Sequence, residues 1–171
     1  MIVEDTAHIK GLSKLNTYIQ TFPVKFEKSC LRGGLRRGAK QVLLPAVQGN
    51  LTAAGAVKTG ELIKGLKVKT SARRGRVTAS VVAGGKHGHL MRWIEYGVQA
   101  HDIAGKAGGM LAFMNIFAKT VHHPGFKGRG SMRKALDQGG PTAAVVAGEY
   151  MRDRLEKVGV DAADIEVSEG L

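Results

Sequence analysis

Cysteine is almost missing from this chain. Cys30 stands alone, so no disulfide forms within it and no thiolate zinc cluster can be assembled from it. Aromatic residues are scarce, at 5%, with a single tryptophan, Trp93. That leaves no aromatic platform for stacking nucleic-acid bases, and the core has to come from Val, Leu, Ile and Ala. No apolar run approaches the ~20 residues that a membrane span needs. The start, Met1-Ile2-Val3-Glu4-Asp5, has neither a basic nor an apolar leader region, so we expect no signal peptide and a soluble protein made in the cytoplasm. Acidic residues are also few, 14 against 26 lysines and arginines, for a net charge of +12.

What is present is enough for one folded domain. Hydrophobic residues make up 43% of 171, and 24 glycines imply long connections. The acids are unevenly spread. Asp161, Asp164, Glu166 and Glu169 crowd the last stretch, where no Lys or Arg follows Val158. We therefore expect a single domain over residues 1–158 and an acidic C-terminal tail over 159–171, mobile or ordered only by a partner. The basic body suits a polyanion or an acidic protein surface, or serves solubility.

Apolar spacing predicts the elements. Ile9, Leu12, Leu15 and Ile19 mark a helix from about Thr6 to Gln20. A longer helix should begin at Pro23, capped by Thr21, with Val24, Leu31, Leu35, Val42 and Ala46 as its apolar stripe. Pro45 is expected to kink or end it, and residues 49–57 to form a loop. A short helical turn follows over residues 58–66. Alternation then predicts two strands, Leu66 to Thr70 and Val77 to Val81, joined by a basic turn from Ser71 to Arg76. Leu90 to Tyr96 reads as strand or short helix. Met110 to Phe113 is a third strand, and Thr120-Val121 continues the sheet. Ser131 should cap a helix starting at Met132, Gly139-Gly140-Pro141 should interrupt it, and a last helix should run from Thr142 to a Gly159 cap. The sum is an α+β fold: an antiparallel sheet of three to four strands packed by a long N-terminal helix and a C-terminal helix.

Candidate chemistry is thin. Six histidines include His87-Gly88-His89 and His122-His123, but neither follows a zinc-site spacing, and we assign no metal. Glu95, His101, Asp102 and His122 are the residues a nuclease would use, yet no pair of acids is spaced to hold Mg²⁺. No phosphate-binding glycine loop or nucleophile elbow occurs, so we expect no catalytic residue and no cofactor. Cys30 lies near an apolar helix stripe and reads as packing.

Several stretches, in order, resemble the small tail-component family of lambdoid and related tailed phages, whose members are called neck or tail-completion proteins. A basic helix, Leu31 to Val47, comes first. Lys58-Thr59-Gly60-Glu61-Leu62 is similar to the family's Thr-Gly-x-Leu turn and precedes the basic strand Leu66 to Lys69. Trp93-Ile94-Glu95-Tyr96-Gly97 resembles its Val-Glu-Phe-Gly signature, and Ile103 to Phe113 its Ile-x-x-Lys…Leu-x-Phe stretch. Val121-His122-His123-Pro124-Gly125 resembles its Val-x-His-Pro-Gly turn, and Met132 to Asp137 its Phe-Leu-x-x-Ala-Leu-Asp helix. The likeness runs from about Leu12 to Leu155.

The resemblance implies a structural virion protein at the head–tail junction, forming a ring between the portal-side connector and the tail tube. Six copies are favoured over twelve. Its partners would be copies of itself, portal or adaptor proteins, and a tail terminator or tail tube protein. For packing at the core or between subunits we select Trp93, Tyr96, Phe113 and Phe117, and with them Met110, since Met and aromatic residues suit interfaces. For electrostatic contacts we select Arg32, Arg36, Arg37, Arg73, Arg74 and Arg76. The alternative is a protein that binds DNA non-specifically through phosphates.

Overall fold

The computed structural model describes residues 9–10, 12–22, 24–56, 58–113, 116–159 and 168–169. Its architecture is α+β, with a helical body and strands that pair two at a time. The first helix, α1 (Leu12–Gln20), starts later than the spacing predicts, because Ile9–Lys10 form a short strand, β1. That strand pairs antiparallel with β10 (Ser168–Glu169), so the two ends of the described chain meet. The acidic tail thus returns to the body at Ser168, although most of it lies outside the described residues. Pro23 does too.

The long helix does not end at Pro45. It runs as α2 (Val24–Gly38), a π segment (Ala39–Leu43) and α3 (Leu44–Ala53), absorbing most of the expected loop. Proline lacks an N–H, and its ring crowds the carbonyl four residues back. A wider turn just ahead of Pro45 relieves both problems: Leu44 donates its N–H to the carbonyl of Ala39, five residues back.

The buried face of this helix differs from the expected stripe. Val24 is exposed, and Leu31, Leu35, Val42 and Ala46 are half-buried. Cys30, Gly34 and Gly38 are buried instead, at four-residue steps. They meet Met151, Ala147 and Ala143 of α6 (Ser131–Glu156) in antiparallel order. A β-carbon on Gly38 would overlap the carbonyl oxygen of Ala143, and one on Gly34 would lie 2.7 Å from that of Ala147. Small residues on both helices are what let the backbones approach this closely. Leu15, Ile19 and Leu155 close this first core cluster.

Beyond the π segment the burial moves to Val47 and Leu51. Gly38 to Val47 is about two and a half turns at 3.6 residues per turn, so the buried face swings round the helix. These residues join Leu62 of α4 (Glu61–Lys64), Leu66 of β2 (Leu66–Arg73), Met91 of α5 (Leu90–Tyr96) and Ala135 of α6 in a second cluster. The segment read as strand or short helix is thus the helix α5.

The hairpin of β2 and β3 (Arg76–Ala83) keeps its ladder up to Arg73↔Arg76. Its turn is only Arg74-Gly75, both with positive φ, and not the longer loop expected from Ser71 to Arg76. The α6 helix is continuous through Gly139-Gly140-Pro141, against expectation. Intrinsic penalties of about 1 kcal/mol per glycine and about 3 kcal/mol for proline would break an isolated helix there. Packing overrides them: Gly139 is buried where a β-carbon would sit 3.1 Å from Val42 Cγ1. At the far end Gly159, with φ of 81°, follows the last turn as a glycine stop should.

The remaining strands do not extend the β2–β3 hairpin. They pair with one another in nested order: β4 (Gly97–Val98) with β9 (Phe126–Lys127), β5 (His101–Ala104) with β8 (Thr120–His123), and β6 (Leu111–Phe113) with β7 (Ile116–Ala118). The result is a two-stranded arm built by the described residues 97–113 and 116–127. No described residue between Gly97 and Gly130 is buried. No helix of the described residues is long and apolar enough to cross a membrane.

Candidate interaction surface

The root of the arm is fastened to the body by Glu95. Its carboxylate accepts the backbone N–H of Met132 at 2.8 Å and of Arg133 at 3.0 Å. These are orphan donors in the first turn of α6, and a carboxylate at the positive end of a helix suits them. Arg129 donates its N–H to the Ile94 carbonyl at 2.7 Å, and Gly130 to that of Glu95 at 3.2 Å. Ser131, expected as the cap, is instead a buried helical residue, and its carbonyl accepts from Asn50 Nδ2 at 3.1 Å. Gly97 then turns the chain into the arm with φ of 82°, where a β-carbon would strike the backbone of Phe126 to Gly128.

The five residues selected for subunit contacts are all exposed, and they fall into two groups. Trp93 (48%) and Tyr96 (72%) sit on α5 at the arm's root and share one shallow pocket. The Trp93 ring meets His89 edge-on, with centroids 5.4 Å apart. Met110 (59%), Phe113 (47%) and Phe117 (66%) lie at the far end of the arm. Sequence reasoning missed Ile103, Ile116 and Phe126, which are exposed on the same arm. Alternation along a strand suggests that one side is covered. Here the ribbon stands away from the core, so neither side is.

The selected arginines also form two groups. Arg32, Arg36 and Arg37 are exposed on α2, and Arg73, Arg74 and Arg76 cluster at the β2–β3 turn. None of the six makes an ion pair with a described residue. Arg37 lies over the Tyr150 ring, 5.8 Å from its centroid. The outer face of the hairpin adds Lys67 and Lys69, both exposed, so positive charge runs along it to the turn.

The residues a nuclease would use are dispersed. Glu95 is committed to the start of α6. His101 stacks on His123 across the β5–β8 ladder, with centroids 5.1 Å apart and Nδ1 2.9 Å from the Gln99 carbonyl. His122 Nδ1 and Asp102 Oδ1, paired on the next rung, are 2.7 Å apart and exposed. Among the described residues no three histidine, cysteine or acidic side chains are grouped to hold a metal ion. Cys30 is buried, and that burial pushes its thiol above the ordinary value, with Arg154 pulling weakly the other way.

One further feature faces solvent. An apolar groove of about 210 Å³ opens between the π segment and α3, strand β3 and the first turns of α6. Comparison with protein-family models, curated proteins and solved structures finds no match to this chain.

Proposed function

We propose that this chain is a non-enzymatic structural subunit of a tailed-phage virion, at the head–tail junction, that assembles into a ring. The observation that carries the reading is the arm. It holds Ile103, Met110, Phe113, Ile116, Phe117 and Phe126 in solvent, with no buried residue among its described ones. So many large apolar side chains held in solvent on one arm point to a protein contact. A contact between an arm on one side of a subunit and a different surface on the next is heterologous, and when its rotation closes it makes a ring rather than a filament. The ordered likeness to neck and tail-completion proteins supports the location, six copies, and portal-side and tail-side partners. The basic faces of α2 and the hairpin would then meet acidic faces of adjoining rings. The function needs no cofactor: docking surfaces arise only when copies assemble.

Negative-stain microscopy of the purified chain tests this, with rings of uniform diameter expected. A second reading, non-specific DNA binding, is favoured by the six arginines that make no ion pair with a described residue. It predicts tight binding in a gel shift, with affinity falling steeply as salt rises. Strong binding by a chain that never forms rings would replace the first reading with the second.

A further inference from the structure

Two surfaces of this chain are unusual in the same way, and they match. The first is the end of the arm. From Met110 to Ala118 it carries no charged residue and no proline. Its strands β6 and β7 pair only with each other, so the outer edge of each is open among the described residues. Open strand edges are normally protected by lysine, proline or a bulge, because they pair with other chains. This one has no such protection.

The second is the groove. Leu43, Val47, Val81, Met132 and Leu136 are among the residues lining it, and none of its lining is charged. Strand β3 contributes Ala79, Ser80 and Val81, whereas β2 contributes nothing. The groove therefore opens at the edge of β3 that β2 leaves unpaired. An apolar cavity of roughly 150 Å³ holds a benzene ring. A groove of about 210 Å³ has room for one phenylalanine ring.

We propose that strand β7 of one copy adds to the free edge of β3 in the next copy and seats Phe117 in this groove. The inference rests on the ring reading above and names the contact that makes the ring. The occupant is a second copy, as charge and area argue together. Copies with a net charge of +12 repel one another, so they meet at least cost through uncharged surfaces, and these two are uncharged. The exposed parts of Met110, Phe113, Ile116 and Phe117 bring roughly 400 Å² to this contact, about half the roughly 800 Å² per partner of a stable pair, and a closed ring holds each copy by two such contacts. Strand addition provides the backbone hydrogen bonds, and the phenylalanine pocket provides the register.

The test mixes two full-length single variants, Ser80→Cys and Ala118→Cys, and treats them with a short bis-maleimide. Cys30 stays in place because it is buried. A heterodimer joined 80 to 118, mapped by mass spectrometry, forms only between chains, and it is the expected major product. Adding Phe117→Ser to the second variant should lower its yield at least tenfold while circular dichroism is unchanged. Rings without the 80–118 product would overturn this contact and leave the ring reading standing. Cross-links confined to 80–80 or 118–118 would overturn it in favour of a two-fold pairing. A mixture that stays monomeric at every concentration would overturn both.

Discussion

Gly38 and Gly34 determine how closely α2 and α6 approach, and single atoms decide the outcome. Gly38→Ala would drive a methyl group into the Ala143 carbonyl, which has no room to move without separating the helices. We expect a loss of about 1–3 kcal/mol, read as a lower urea midpoint, despite the better helix propensity of alanine. Cys30, one turn earlier on the same face, adds a pH dependence. Below the ordinary thiol pKa of about 8.5 both folded and unfolded states keep the proton. Above it the unfolded thiol ionises first, because burial holds the folded one higher. The unfolded state then binds fewer protons, and stability falls as pH rises. Urea midpoints measured between pH 7 and 9.5 should fall more for the wild type than for Cys30→Ala. These residues were partly legible in the sequence. Cys30 was readable as packing, but the glycines looked only like a weakness in a helix, because the partner that needs them lies more than a hundred residues away.

Among the elements, α6 and the long N-terminal helix show what local signals can and cannot tell. Both carry proline, and both continue through it: a π turn makes room for Pro45, and packing against the neighbouring helix holds α6 together at Pro141. If packing rather than propensity maintains α6, improving propensity where space allows must add stability. At Gly140 a β-carbon meets only Leu136 Cδ1, at an ordinary 3.8 Å. Gly140→Ala should therefore stabilise by about 1 kcal/mol, seen as a higher thermal midpoint. At Gly139 the same change meets Val42 and should bring no such gain. The hairpin β2–β3 was visible from alternation alone, since its inner face is half-buried in the usual way. The arm was not recognisable as an arm. Its strands were visible singly, but nested pairing away from the core leaves no period in the sequence.

At the level of the whole molecule, charge and exposed apolar surface oppose each other. In the proposed assembly, like charges keep copies apart and the arm draws them together. Raising salt screens the first and leaves the second intact. Self-association should thus strengthen with salt, whereas phosphate binding would weaken. The α+β class follows from composition and pattern, whereas the aromatic residues Trp93, Tyr96, Phe113 and Phe117 read equally as core or as subunit contact, and only the fold puts them in solvent. The groove does not, because three distant segments build it. Sedimentation velocity of the purified chain over a range of salt, beside a Phe113→Ser, Phe117→Ser double variant, is the most direct test of assembly through the arm. The wild type should form one closed species, favoured at high salt, while the double variant stays monomeric with the same helix content. A wild type that is monomeric throughout, or a double variant that assembles as readily, would contradict it.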